Sequence, residues 1–121
     1  MMKSLLSISS INTTTDSQFD AQVVIDENHE ILKAHFPNFP IVPGACLIDC
    51  AKDIVETYFK SAYRLVSVKN VKFLQIVNPQ KITSLQYLCT HQEIDGELRA
   101  NYTISSKDEI VSKLSLVFIK A

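Results

Sequence analysis

Glycine is scarce in this chain of 121 residues, with Gly44 and Gly96 the only two. A glycine-rich phosphate loop, of the dinucleotide or the P-loop kind, therefore cannot be written, and nucleotide cofactors held that way are excluded. Cysteine is sparse as well: three residues, an odd number with no CxxC pair, make neither a disulfide framework nor a zinc site. A reducing interior suits such a set. No apolar run approaches the roughly 20 residues that cross a bilayer. The opening MMKSLLSISSINTTTD has one lysine and a brief apolar patch, without the apolar region of about 7 to 15 residues that marks a signal peptide. It reads as mature sequence of a cytoplasmic protein. Charge of either sign is not in excess: the formal net charge is -1, which gives no basic footprint for nucleic acid. GxSxG, HExxH and internal repeats are all missing.

What is present is ordinary globular composition, 46% hydrophobic and 21% charged, in a length that fits a single domain over residues 1–121. FDAQVVI, from Phe19 to Ile25, is rich in β-formers and ends in the polar turn Asp26, Glu27, Asn28. HFPNFPIVPG then carries prolines at a spacing of three, which forbids regular helix and predicts an ordered loop. A helix follows from about Pro43 to Lys60, opened by the proline. At 100° per residue its apolar side gathers Leu47, Ala51, Ile54, Val55, Tyr58 and Phe59, and Asp49, Asp53, Glu56 and Lys60 form the opposite stripe. Beyond Tyr63 come RLVSVKNVKFLQIV, a turn NPQK, ITSLQYLCTHQEI, the dipeptide Asp95-Gly96, ELRANYTIS, the turn SKDE and IVSKLSLVFIKA. Asp-Gly between alternating runs is a strong hairpin signal. The order predicts an α+β fold: an antiparallel sheet curling around one long helix, and not a doubly wound parallel sheet. An exposed strand edge needs covering, which makes a homodimer the natural assembly.

HFPNFPIVPGACLID, His35 to Asp49, resembles the active-site segment of the hotdog-fold β-hydroxyacyl-[acyl-carrier-protein] dehydratases, which reads HFPGxPxxPGxLxxE or ends in Asp. His35, Phe36, Pro37, Pro40, Pro43 and Gly44 stand in register, and Asp49 falls on the family's acid. Asn28 keeps its distance before the histidine, and NVKFLQIVNPQK looks like the family's strand-and-turn segment, so residues 19 to 120 are covered.

The resemblance implies a hotdog fold and removal of water from a β-hydroxyacyl thioester on acyl carrier protein, in fatty-acid or related polyene or lipid biosynthesis, with no metal and no cofactor. It implies His35 as base, Asp49 as acid and the backbone at Gly44 as donor to the thioester oxygen. Phe36, Phe39, Pro43, Ala45 and Asp53 would contact substrate. The implied assembly is a homodimer, a trimer of such dimers or a heterodimer, with the histidine of one subunit meeting the acid of the other. Asn38 and Ala34 replace glycines of the pattern, and Asp53 stands where relatives often carry glutamine, bringing a second carboxylate one turn after Asp49. A hotdog acyl thioesterase and a non-catalytic acyl-binding or structural subunit are the alternatives.

Other polar residues read as structural. His29 and His91 are isolated and assigned to the surface, Cys46 and Cys50 to helix packing, and Cys89 to a strand core. Lys33, Arg64, Lys69, Lys72 and Lys81 are scattered and read as a solvated face.

Overall fold

The computed structural model describes residues 4–35 and 41–121. The first pair of strands, β1 (Leu6–Thr15) and β2 (Gln18–Ile25), forms a hairpin. A short helix, α1 (Glu30–His35), and a long one, α2 (Gly44–Phe59), precede four strands: β3 (Tyr63–Phe73), β4 (Ser84–Ile94), β5 (Glu97–Ser106) and β6 (Glu109–Lys120). All six strands join in one antiparallel sheet of order β1-β2-β4-β5-β6-β3, so β1 and β3 are its edges. The expected α+β architecture is the observed one.

Two elements stand where sequence reading placed none. β1 was hidden because its pairing with β2 shifts register between Ile8 and Ser10 and again between Thr13 and Thr15. Each bulge breaks the period-two alternation by which a strand is recognised. Helix α1 has only six residues, too few for helical periodicity to show. Local bonds start it: the Asn28 N–H donates to Asp26 Oδ1 at 3.1 Å, and the Ile31 N–H to His29 Nδ1 at 3.1 Å. Leu32 then pins it to the core.

Helix α2 is one residue shorter at each end than Pro43 to Lys60. Pro43 has a helical φ of −61° but an extended ψ of 143°, so it caps the helix from outside. Lys60 is left-handed at φ 54° and its N–H donates to the Glu56 carbonyl, closing the last turn. Leu47, Cys50, Ala51, Ile54 and Val55 are buried. Against them lie the inward rows of the sheet, among them Phe19, Leu85, Tyr87, Tyr102, Ile104 and Phe118. Each large apolar side chain so enclosed contributes about 1.5–3 kcal/mol before the entropy of ordering it is charged.

β3 ends at Phe73, not Val77, because the chain there leaves the sheet. The Leu74 and Gln75 N–H groups both donate to the Val111 carbonyl, and the Val42 N–H donates to the Val77 carbonyl at 2.9 Å. This ties Leu74–Val77 beside the entry to α2. Asp95 (φ 52°) and Gly96 (φ 80°) make the hairpin turn between β4 and β5, as expected from the dipeptide.

Candidate active site

Helix α2 carries most of the described candidate residues. Gly44 opens it, Ala45 is exposed in its first turn, and Asp49 and Asp53 lie on its exposed side. Among the described residues no side chain caps the N-terminus, and no acid stands in the first turn. The helix dipole there is left uncompensated, which favours an anion or a developing oxyanion. Asp49 follows Gly44 by five residues, a rise of about 7.5 Å along the axis. Pro43 is half-buried at the cap, and His35 is the last residue of α1. Phe36 and Phe39 lie outside the described residues.

An open groove of about 470 Å³ runs over this side of α2 and is lined by Leu5, Leu6, His29, Cys46, Asp49 and Asp53, among others. The structure thus brings Asp49 and Asp53 together and adds two contributors that sequence reading did not foresee. The N-terminal leucines come from a segment with no recognisable pattern. His29, assigned to the surface, is half-buried and faces this groove while it caps α1.

The carboxyl of Asp53 is raised above its ordinary value of 3.8, by desolvation first and then by Glu56 and Asp49, with Lys52 pulling the other way. Lys52 is engaged with Glu56 at 3.3 Å. Glu56 in turn is lowered, chiefly because it accepts the Tyr63 N–H at 2.9 Å. Burial raises the thiol of Cys46, with a further push from Asp49, and takes Cys50 to about 12. Both are therefore protonated at neutral pH, so neither is a ready nucleophile. Cys50 and Cys89 are buried, in line with packing roles.

Gly44 sits against a neighbour distant in sequence. A Cβ there would run into Phe73 Cζ and stand within 2.9 Å of both Cε atoms. Phe73 is 53% exposed, so its ring can swing outward. Gly44→Ala is expected to leave the fold intact and move the thermal midpoint by only a few degrees, roughly the response to 1 kcal/mol or less. Adding Phe73→Ala should relieve the residual loss. A larger drop, unrelieved by the second substitution, would show that backbone and not the ring fills that space.

His91 is the clearest correction to the sequence reading. It is half-buried against the rings of Phe19, Tyr58 and Phe59, at centroid distances of 5.5, 6.0 and 5.1 Å. Phe19 and Tyr58 stack at 4.0 Å, and the Tyr58 hydroxyl meets Thr13 Oγ1 at 3.1 Å. Three elements build this pocket, so no local pattern announces it. His91 Nε2 is buried without a hydrogen-bond partner among the described residues. Desolvation lowers the imidazole below its ordinary value of 6.5. Above 6.5 the folded and unfolded forms are both neutral. Below it the unfolded chain takes the proton first, so stability falls until the lowered folded value is passed. His91→Phe should flatten the decline in urea midpoint between pH 7.5 and 5.5, and an identical decline in both proteins would remove His91 from the account.

A six-stranded antiparallel sheet with one long helix against it gives the protein a hotdog fold. The family model for ApeI-like proteins, described as ApeI dehydratase, matches residues 11–114. The chain belongs to that ApeI-like dehydratase family.

Among solved structures, the chain is similar to the dehydratase heterocomplex ApeI:P from Xenorhabdus doucetiae, at 19% identity and a TM-score of 0.74, covering 93% of this chain and 96% of that one. An uncharacterized protein from Erwinia carotovora subsp. atroseptica gives 20% identity and a TM-score of 0.75 over 96% and 97%. A hypothetical thioesterase with coenzyme A from Streptococcus pneumoniae gives 8% and 0.66 over 96% and 85%. These likenesses establish the fold. No curated protein matches the chain. Among the described residues, no helix is long and apolar enough to cross a membrane.

Proposed function

We propose that the protein removes water from a β-hydroxyacyl thioester, carried on the phosphopantetheine of acyl carrier protein, to give the trans-2-enoyl thioester. Fatty-acid or related polyene and lipid synthesis in the cytoplasm is the setting. The observation that supports this best is the placement of Asp49 on the groove side of α2, on the same rigid helix as the uncapped start at Gly44. His35 takes the C2 proton, the C2=C3 bond forms as the C3–O bond breaks, and Asp49 gives its proton to the departing hydroxyl. The backbone N–H at Gly44 steadies the negative charge that builds on the thioester oxygen. Proton exchange with water then resets the protonated histidine and the carboxylate. Phe36 and Phe39 line the acyl path, and Pro43, Ala45 and Asp53 shape its mouth.

Two copies complete the site, with His35 of one protomer meeting Asp49 of the other. The edge strand β3 and the segment after it expose Val66, Val68, Phe73, Leu74 and Ile76, an apolar margin that a second subunit would cover. The similar structure from Xenorhabdus doucetiae is a dehydratase heterocomplex, so a different chain is the competing partner.

One assay tests the reading: the purified protein with a synthetic β-hydroxyacyl phosphopantetheine thioester, followed for enoyl thioester and for free thiol. Enoyl product without thiol supports dehydration. Thiol release instead indicates a thioesterase, and tight binding without turnover indicates the acyl-binding subunit. Sedimentation of the same sample at micromolar concentration reports the assembly, and a fully active monomer would end the shared-site reading.

A further inference from the structure

The groove and the helix start depend on where α2 sits. Leu47, Ile54 and Val55 pack it on the sheet, while the small Cys50 and Ala51 between them leave room for bonds that set its register. Directional contacts come from the sheet. The hydroxyl of Tyr87 on β4 donates to the Leu47 carbonyl at 2.9 Å, and that of Tyr102 on the neighbouring β5 donates to the Ala51 carbonyl at 2.8 Å. Both tyrosines are essentially fully buried, and their rings meet edge to face at 5.7 Å and 80°. A carbonyl oxygen has two lone pairs, so each bond adds to the one made inside the helix.

The anchored carbonyls are four residues apart, one turn along α2. Asp49 lies midway between them in sequence and about 200° around the axis from Leu47, on the far side of the helix. Sliding α2 by one residue, about 1.5 Å, breaks both bonds together. A roll of about 15° moves a carboxylate held roughly 5–6 Å from the axis by about 1.5 Å.

The geometry points to Tyr87 and Tyr102 as positioning residues that index α2 on the sheet and so hold Asp49 and the Gly44 amide in register with the reacting atoms. This rests on the dehydratase reading above. Satisfying two buried hydroxyls is a weaker account, because phenylalanine would fill the same apolar space without creating any polar demand.

The test uses Tyr87→Phe, Tyr102→Phe and the double variant of the full chain, with Ile104→Val as a core truncation that leaves both hydroxyls in place. Amide hydrogen exchange along α2 and steady-state dehydration are measured on each. Indexing predicts exchange in α2 faster by about tenfold or more with β4 and β5 little changed. It also predicts kcat lower by about ten- to a hundredfold, the response to misplacement on the order of 1 Å. KM should stay within about twofold, and Ile104→Val should keep kcat at comparable loss of thermal midpoint. Unchanged α2 exchange overturns the anchoring whatever the kinetics do. Loosened α2 with unchanged kcat overturns its catalytic importance, and equal kcat loss in Ile104→Val reduces the effect to general destabilisation. A wild-type protein that forms no enoyl thioester overturns the underlying dehydratase reading and the proposal with it, and the exchange rates then show separately whether the hydroxyls hold the helix.

Discussion

His35→Ala is expected to lower enoyl thioester formation by about 10²- to 10⁴-fold, the usual contribution of a positioned general base. The fold should survive. Helix α1, which His35 ends, is started by the Asp26 and His29 bonds at its other end and is held by buried Leu32. None of these contacts involves His35. Circular dichroism and a urea titration on the variant would show native content and a midpoint near that of the wild type. Activity within a factor of two of wild type would refute the base assignment.

Asp49→Asn should fail to a similar degree, because an amide keeps the shape of the acid and has no proton to give the leaving hydroxyl. Asp49 is exposed, so the loss cannot be charged to the core. Asp49→Glu should retain part of the rate, since it keeps a carboxyl that can give a proton, displaced by one methylene. The informative control is Asp53→Asn. Asp53 shares the groove, and its raised carboxyl holds a proton to higher pH than an ordinary aspartate, which makes it the one rival acid on this helix. If Asp49 is the donor, Asp49→Asn abolishes elimination and Asp53→Asn costs far less. The reverse ranking would transfer the role to Asp53.

Helix α2 and the four strands after it were readable because each is long and rich in the residues its element favours, and because Asp95-Gly96 marks a turn that few other dipeptides make; β3 was read despite two register shifts of its own because valines carry it. Proline at 43 located the helix start to within a residue, its extended ψ being invisible in sequence. β1 was not readable, since its two bulges scramble the alternation and its serines and threonines resemble a loop. At the site, the polar stripe placed Asp49 and Asp53 on one side, but a stripe facing water and one facing a groove have the same spacing. What lies over them comes from Leu5, Leu6 and His29, whose proximity only the folded chain creates. The packing of Phe73 on Gly44 and the aromatic pocket around His91 were illegible for the same reason.

The strand order also governs how this protein is made. β3 follows α2 directly in the chain, yet its one neighbour in the sheet is β6, and the two pair from Tyr63 with Lys120 to Phe73 with Ser112. Between them the hairpin β4–β5 must be synthesised. Closing so long a loop costs entropy before any contact repays it, so β3 docks late. During translation the strand emerges with the backbone edge that β6 will pair still open, and waits for β6 to leave the ribosome. A nascent chain halted before β6 would hold every proposed site residue and still expose a sticky edge to chaperones, to proteases and to other copies of itself.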